Sequence, residues 1–265
     1  TMIKFGSMLF FLLSICALTN SQAQTIIDLT NASPWYFKEA NQADSQWLRA
    51  RVPGTIHQDL LVHQLIADPY LLNNEQQAQW PAQKEWLYQT TILLTPAMLN
   101  YSQIDLVFDG LDTDAEIFIN GKKIASVNNM FRVWKFNVRS LLKTGDNDLK
   151  IKFLASEQLA ALAYEKLQPK IPLDERIMVR KAAYQFGWDW GPRLVTAGIY
   201  KKVYLHCWDQ LKIAHIQYQQ LQIDTAMARL NAKVCINSLV EQEISYQIID
   251  SATKQVYASS KLKVM

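Results

Sequence analysis

Hydrophobic and polar residues alternate along much of the chain, and this period of two restricts the fold more than any other feature of the sequence. Clear examples are residues 103–108 (QIDLVF), 115–120 (AEIFIN) and 148–153 (DLKIKF). Because successive side chains of a strand point to opposite faces, the pattern predicts strands with one buried face. The pair Asn120-Gly121 is typical of a two-residue hairpin turn, since both residues accept positive φ angles. Many short strands joined by such turns predict an all-β sandwich of the jelly-roll type.

Helical patterns are sparse by comparison. We predict short helices over Thr55–His63 and Ser156–Lys166, each opened by a hydroxyl residue that is typical of a helix N-cap. Neither helix is long enough to change the fold class, so the chain is predicted to be all-β.

A second group of strand patterns lies near the C-terminus, at residues 213–218, 230–236 and 244–248. A complete immunoglobulin-like sandwich needs about 100 residues, and fewer than that remain. We therefore predict a jelly-roll domain over 24–209, followed by an incomplete immunoglobulin-like β-sandwich over 210–265. Strand-like sequence continues to the last residue, so we expect the chain to be the front part of a longer protein.

Residues 1–23 have the order of regions found in a secretory signal peptide. Lys4 supplies a positive charge, residues 8–17 (MLFFLLSICA) form a short apolar run, and small residues at Ser21 and Ala23 precede a cleavage point. The apolar run is too short to span a bilayer comfortably. The sequence therefore predicts export, to the periplasm or out of the cell.

Cys16 leaves a second route to the same compartment. The sequence Leu13-Ser14-Ile15-Cys16 partly fits a lipid-attachment site, although Ile15 is bulky where such a site favours a small residue. Lipoprotein anchoring through Cys16 is kept as the minor alternative, and no transmembrane segment is predicted.

Charge and motif content exclude several classes of protein. A net charge of +3 is too small to indicate a nucleic-acid partner. The four histidines show no metal-binding spacing, so we predict no metal site, and phosphate-binding, dinucleotide-binding and nucleophilic-serine motifs are absent. Asp112 and Asp114 form a close acidic pair before a strand. Aspartates in such turns commonly bond to nearby backbone, so neither is assigned a catalytic role.

One segment, YQFGWDWGPR at residues 184–193, fits neither the strand period nor the helix period and predicts a shaped loop. Sugar sites use aromatic faces for stacking and carboxylates for paired hydroxyl hydrogen bonds. Trp188, Asp189 and Trp190 would offer both. The same residues also fit a structural interpretation in which the tryptophans fill the core and Asp189 pairs with Arg193. The residue types alone leave both interpretations open.

The segment FGWDWGPR resembles the signature of β-mannosidases, in the glycoside hydrolase family that also contains β-galactosidases and β-glucuronidases. The resemblance extends from about residue 35 to residue 208, because further motifs match in the same order. These are VPGTIHQDL (52–60), DPY (68–70), NE (74–75), EWLY (85–88), FDGLDT (108–113), INGK (119–122), NMF (129–131) and KAAY (181–184).

The resemblance implies a galactose-binding-like jelly-roll domain, an immunoglobulin-like domain and then a catalytic (β/α)8 barrel. In such enzymes the barrel supplies two glutamates for retaining hydrolysis, an acid/base and a nucleophile. This chain contains no such barrel, so no catalytic residue is assigned and the chain alone is expected to be inactive. The mechanism needs no metal or cofactor, and the missing barrel is the expected partner.

The resemblance also implies roles for residues of the loop. Asp189 is expected to accept hydrogen bonds from mannose hydroxyls, with Trp188 as an apolar wall and Arg193 orienting the loop or Asp189. Asn74 is a weaker candidate to line the pocket, and Trp190 is expected to lie in the core.

The predicted function is the N-terminal part of an exo-acting retaining β-mannosidase that acts on mannose-containing oligosaccharides. Two alternatives stay open at this stage. One is a stand-alone carbohydrate-binding or structural β-sandwich without catalysis. The other is the corresponding part of a β-galactosidase or a β-glucuronidase.

Overall fold

The structure, a computed structural model, describes residues 11–16, 24–43, 46–225, 228–250 and 253–264. The described chain forms two compact units. The larger unit is Ile26–Cys207, and the smaller one is built from described residues on either side of it. Most of the predicted signal peptide lies outside the described residues, and both the leader and the predicted domain boundaries remain predictions.

The strands are numbered in chain order. They are β1 (Phe11–Cys16), β2 (Thr25–Asp28), β3 (Trp35–Glu39), β4 (Leu48–Ala50), β5 (Trp86–Leu94), β6 (Gln103–Phe108), β7 (Asp114–Ile119), β8 (Lys122–Asn128), β9 (Trp134–Asn137), β10 (Gly145–Phe153), β11 (Val203–Trp208), β12 (Leu211–Ile223), β13 (Ala228–Ser238), β14 (Gln242–Asp250) and β15 (Val256–Val264). The α-helices are α1 (Ile56–Val62), α2 (Asn74–Gln77) and α3 (Ser156–Glu165). Short 3-10 segments lie at Trp80–Gln83, Ala97–Asn100, Arg139–Leu141, Glu175–Met178 and Ala183–Phe186.

Two sheets form the larger unit. One has six strands in the order β4-β3-β5-β10-β7-β8, and the other has four in the order β2-β11-β6-β9. Strand β10 pairs antiparallel with both β5 and β7. Its residues Leu149, Ile151 and Phe153 are fully buried, while the residues between them are partly exposed. The all-β sandwich is confirmed, and one-sided burial is confirmed for β7 and β10. The prediction is wrong for β6, where Asp105 and Val107 are buried together with the residues of the opposite face.

Aromatic residues of β3, β5 and β10 form the centre of the core. Phe37, Tyr88 and Phe153 are almost completely buried. The rings of Tyr88 and Phe153 meet edge to face, with centroids 5.5 Å apart and an interplanar angle of 86°. Edge-to-face pairs of this kind stabilise the fold beyond the area they bury, by roughly 0.5–1.5 kcal/mol each.

The two predicted helices are present, with different N-terminal details. Helix α1 begins after Thr55, and Gln58 accepts a hydrogen bond from the Thr55 backbone N–H at 3.2 Å. Helix α3 begins at Ser156, but Ser156 is not its N-cap. The Ser156 hydroxyl instead donates to Asp114 Oδ2 at 2.8 Å, so a tertiary contact replaces the predicted cap. Helix α2 was not predicted, because four residues are too few to show a helical period.

The smaller unit contains the strands predicted after residue 209. Strands β12 and β13 form a two-stranded antiparallel sheet, and β1, β14 and β15 form a three-stranded sheet in the order β1-β14-β15. Side chains from residue 217 to residue 223 in β12 are all exposed. This part of the sheet therefore lacks the buried inner face that each sheet of a complete sandwich has. In the described part of the chain, no helix has the length and apolar character needed to cross a membrane.

Candidate functional site

The segment singled out by sequence forms a tight β-hairpin on the larger unit. The Trp188 N–H donates to the Gly191 carbonyl at 3.4 Å, and the Gly191 N–H donates back to the Trp188 carbonyl at 3.3 Å. Asp189 and Trp190 are therefore the two central residues of the turn. Gly187 enters the hairpin at a φ of +97°, which a residue with a side chain rarely adopts. The predicted shaped loop is present, and Asp189 and Trp190 lie at its tip.

Both tryptophans of the hairpin are exposed. Trp188 is 45% exposed and Trp190 is 76% exposed. Their ring centroids lie 5.6 Å apart with an interplanar angle of 58°, and the Arg176 guanidinium lies 5.9 Å from the Trp188 ring. The prediction that Trp190 lies in the core is wrong, because the two-residue turn carries its side chain away from the sandwich. The hairpin therefore presents two aromatic faces to solvent.

The Asp189 side chain is exposed between the two tryptophans. Within the described residues, no hydrogen bond or ion pair reaches its carboxylate. The structural interpretation, in which Asp189 pairs with Arg193, is not what the structure shows, because Arg193 binds other partners. Asp189 therefore keeps its acceptor capacity available.

A buried polar cluster lies at the N-terminal base of the hairpin. Gln185, in the 3-10 segment before Gly187, donates to Asp112 Oδ2 at 2.7 Å and accepts from the Thr196 backbone N–H at 3.2 Å. Lys181 donates to Asp112 Oδ1 at 2.5 Å and also to the Thr196 carbonyl. These contacts join the segments on the two sides of the hairpin, since Gln185 precedes it and Thr196 follows it. We call Asp112, Lys181, Gln185 and Thr196 the base cluster.

The ion pair of the base cluster is completely enclosed. The Lys181 side chain is completely buried, and the Asp112 side chain is almost completely buried. Burial lowers the pKa of Lys181, while the neighbouring carboxylate of Asp112 opposes that shift. A buried charge without its partner is strongly destabilising, so each member of the pair depends on the other. The turn position of Asp112 predicted side-chain bonds to nearby backbone, and this prediction is wrong. Its carboxylate accepts instead from the side chains of Lys181 and Gln185, which lie far along the sequence.

Helix α1 extends the buried polar contacts. The His57 ring bonds through Nε2 to the Ala78 carbonyl at 3.1 Å and through Nδ1 to the Thr196 hydroxyl at 3.0 Å. A carbonyl only accepts, so Nε2 carries the proton and Nδ1 accepts from the hydroxyl. Burial lowers the pKa of His57 to about 4, which keeps the ring neutral. Through Thr196, helix α1 is joined to the base cluster.

A second titratable group of α1 has the opposite shift. Asp59 accepts from the Arg51 backbone N–H and from the Tyr88 hydroxyl, each at 2.8 Å. Burial nevertheless raises the pKa of Asp59 to about 6, and these two hydrogen bonds only partly offset that effect. Burial also raises the pKa of Tyr88 well above its ordinary value. The helix therefore carries one buried base that resists protonation and one buried acid that resists ionisation.

Arg193 lies at the C-terminal base of the hairpin, beside helices α2 and α3. Its guanidinium donates to the side chains of Gln79 and Glu157. Its backbone N–H donates to Glu75 Oε1 at 2.6 Å, and its carbonyl accepts from Gln79 Nε2 at 2.7 Å. Arg193 thus attaches the loop to the domain, and its role in orienting the loop or Asp189 at a sugar remains a prediction.

Asn74 occupies the first position of α2, and its side-chain amide donates to the Asp68 carbonyl at 2.9 Å. This contact holds the turn that precedes the helix. Its neighbour Glu75 is the residue that reaches the hairpin, through Arg193. The role of Asn74 in lining a pocket remains a prediction.

Comparison with known proteins decides the family. Residues 35–201 match the family model described as glycosyl hydrolase 2 galactose-binding domain-like. The chain belongs to this family. The match covers the hairpin, the base cluster, all of the six-stranded sheet and strands β6 and β9 of the four-stranded sheet.

Curated relatives of this galactose-binding-like domain are β-mannosidases. Beta-mannosidase B of Aspergillus terreus (strain NIH 2624 / FGSC A1156) is 36% identical over 226 residues, which are 81% of this chain and 26% of the relative. Beta-mannosidase B of Thermothelomyces thermophilus is 34% identical over 210 residues, or 76% of this chain and 24% of the relative. The chain therefore spans about a quarter of the length of these relatives, and the resemblance to β-mannosidases is confirmed.

Solved structures agree with the sequence relatives. The crystal structure of β-D-mannosidase from Dictyoglomus thermophilum matches with a TM-score of 0.76 and 32% identity, over 91% of this chain and 29% of that chain. A β-glucuronidase of Bifidobacterium dentium matches with a TM-score of 0.61 over 94% of this chain and 41% of that chain. At 17% identity this second likeness shows the fold alone.

The galactose-binding-like domain offers a defined kind of chemistry at its hairpin. Two aromatic faces suit the C–H surfaces of a sugar ring, and an unpaired carboxylate suits a pair of hydroxyl donors. The described residues contain no group of three or more histidine, cysteine, aspartate or glutamate side chains placed to hold a metal ion. The hairpin is thus suited to binding and orienting a polar ligand, and it carries no acid–base pair of its own.

Sequence reasoning identified the tip of the hairpin and missed the residues that hold it. Glu75, Gln79 and Glu157 meet Arg193 across separations of 118, 114 and 36 residues. Lys181 meets Asp112 across 69 residues. The motifs NE, FDGLDT and KAAY contain three of these residues, so the resemblance marked their positions without assigning their contacts.

Proposed function

We propose that this chain is the N-terminal part of an exo-acting retaining β-mannosidase, and that its hairpin forms one wall of the pocket for a terminal β-linked mannose. One observation carries the proposal. A solvent-exposed carboxylate, Asp189, has no internal partner among the described residues and lies between two exposed tryptophans, on a domain whose relatives are β-mannosidases. The catalytic glutamates belong to a barrel that lies outside this chain.

The tip of the hairpin has two tasks in this proposal. Asp189 accepts hydrogen bonds from adjacent mannose hydroxyls, and Trp188 provides the apolar wall beside the ring. A charged acceptor with a polar partner contributes roughly 1.5–3 kcal/mol per hydrogen bond. These contacts position the sugar for chemistry that two glutamates of the barrel perform by double displacement, with no metal or cofactor.

The substrate in this proposal is a mannose-containing oligosaccharide, and the partner of the domain is the catalytic barrel of the same protein. A single wall gives little binding energy, so the 265-residue chain alone should bind mannosides weakly and hydrolyse none. Export to the periplasm or to the outside of the cell is part of the proposal. N-terminal sequencing of the mature protein tests it, with cleavage near residue 23 as the expected result and an intact leader as the contrary one.

The decisive experiment begins with the gene beyond codon 265. If the reading frame continues into a barrel, the full-length product is assayed on aryl β-mannoside, with Asp189→Ala as the test variant and Asp146→Ala, an exposed aspartate of β10, as the control. We expect wild-type turnover and a loss of about 100-fold in kcat/KM for Asp189→Ala, because each 1.4 kcal/mol lost corresponds to a factor of ten. The control should retain wild-type activity.

The same assay separates the alternatives. If the enzyme hydrolyses aryl β-galactoside or aryl β-glucuronide faster than aryl β-mannoside, the assignment as a glycosidase stands and the assigned sugar changes. A stop codon directly after position 265, together with tight mannoside binding by the chain itself, would favour a stand-alone binding module. Full-length activity that is indifferent to Asp189→Ala would show that the hairpin is structural.

A further inference from the structure

The hairpin returns to the domain at Arg193, and the contacts of this residue are unusual for an exposed loop. Arg193 lies two residues after Gly191, which closes the hairpin, and four residues after Asp189. Pro192 has no N–H, so the Arg193 N–H is the first backbone donor after the turn. That donor binds the Glu75 carboxylate at 2.6 Å. The main chain of the loop is thus fixed directly at its exit.

Gln79 binds the carbonyl and the guanidinium of Arg193. Its side-chain amide donates to the Arg193 carbonyl and to the Glu75 carbonyl, both at 2.7 Å. Its side-chain oxygen accepts from the Arg193 guanidinium. The N–H and the C=O of Arg193 are therefore both bound by side chains of one short segment, which contains α2.

Glu157, in the first turn of α3, supplies the third contact. Its carboxylate pairs with the Arg193 guanidinium, and its side chain is 13% exposed while that of Arg193 is 39% exposed. An isolated surface ion pair contributes little, but this pair is part of a network in which several groups fix one residue. Two acidic residues from separate helices thus converge on one arginine.

We propose that Glu75, Gln79 and Glu157 are positioning residues, which hold Arg193 and thereby set the place of Asp189 at the sugar. We call these three residues with Arg193 the latch. The inference rests on the proposed function, because the latch acts through Asp189. The three residues do not contact the sugar. Their effect reaches it through the backbone from Arg193 to Asp189.

The first test uses the 265-residue chain and measures amide hydrogen exchange in peptides that cover residues 186–193. Glu75→Ala and Glu157→Ala should each speed exchange in this segment by roughly five- to tenfold, since each removes a charge-assisted hydrogen bond. Glu75→Gln keeps an acceptor for the Arg193 N–H and should stay near the wild-type rate. Exchange in β10 should be unchanged, which shows that the fold is intact.

Matched controls lie on the same helices. Gln77 is exposed on α2 and Glu165 is exposed at the end of α3, and neither side chain contacts the hairpin in the described structure. Gln77→Ala and Glu165→Ala should leave exchange at residues 186–193 unchanged. Wild-type exchange in both latch variants would overturn the inference, whatever sugar the enzyme uses.

The second test is a double-mutant cycle in the full-length enzyme. Glu75→Ala should lower kcat/KM by about tenfold when Asp189 is present, and by less than twofold in the Asp189→Ala background. Independent effects that multiply would overturn the positioning role. Failure of the proposed function gives a different result, because Asp189→Ala alone would then leave kcat/KM unchanged. The hydrogen-exchange rates at residues 186–193 would still test whether the latch holds the loop.

Discussion

The tip and the base of the hairpin are opposite in character. At the tip, Trp188, Asp189 and Trp190 are exposed, and within the described residues the Asp189 carboxylate has no polar partner. At the base, Lys181 and Asp112 are buried and bonded to each other and to their neighbours. The difference teaches where to look for function. Internal hydrogen bonds are concentrated where the backbone is held, and acceptor capacity is left open at the exposed tip, where we propose that a sugar binds.

The largest effect on stability is expected at the base. Lys181→Met should lower the free energy of unfolding by about 3–5 kcal/mol, because it leaves the Asp112 carboxylate buried and uncompensated. Urea denaturation measures the change, with Lys122→Met, at an exposed position of β8, as the control. Adding Asp112→Asn to Lys181→Met should restore part of the loss. A loss below about 1 kcal/mol would mean that the base cluster does not depend on its ion pair.

An intermediate effect on the free energy of unfolding is expected from Asp59 and His57 of α1, and its pH dependence has opposite signs for the two residues. The pKa of Asp59 is about 6 in the fold against an ordinary value of 3.8, so the folded state holds the extra proton between these values. The stabilisation that Asp59 contributes is present below about pH 4 and is lost as the pH rises through 6. The pKa of His57 is about 4 against 6.5, so its contribution is present above pH 6.5 and is lost as the pH falls through 4. The two slopes oppose each other in the wild type.

Single variants should separate these slopes. Relative to wild type, Asp59→Asn should gain stability as the pH rises from 4 to 6, and His57→Gln should lose it over nearly the same interval. Each difference should be on the order of 2–3 kcal/mol across the window. Unfolding in urea at a series of pH values, with wild type measured alongside, gives the two differences. Parallel pH profiles for the three proteins would contradict the shifts.

The smallest effect on stability is expected at the tip. Trp190→Ala and Asp189→Asn should each change the free energy of unfolding by less than about 0.5 kcal/mol, because exposed side chains without buried contacts contribute little. The same urea series measures them. A loss above about 1.5 kcal/mol in Trp190→Ala would show that this ring packs within the folded domain, and the contrast between tip and base would fail.

Local patterns predicted the elements of the fold well. The alternation at 148–153 became strand β10 with its buried face, and Thr55–His63 marked both ends of helix α1. These predictions succeed because strand and helix periods are properties of neighbouring residues. The unusual composition of residues 184–193 marked a shaped loop for the same reason.

Long-range partners could not be predicted in the same way. The sequence shows that Asp112 and Glu75 are acidic, but only the folded chain decides that one meets Lys181 and the other meets the backbone of Arg193. Trp190 was misplaced because hydrophobicity assigns a tryptophan to the core, whereas the two-residue turn determines its direction. Resemblance drew attention to Asn74, while the contact with the hairpin belongs to its neighbour.

The bond from Glu75 to the loop has an evolutionary consequence, because it reaches a backbone N–H and not a side chain. Every residue except proline offers that donor, so substitutions in the loop leave this anchor in place. Mutations at the exposed turn are then nearly neutral for folding and are selected for what they bind. A scaffold of this kind lets a lineage explore new ligands at low risk to the fold, and directed evolution of the loop can exploit the same separation.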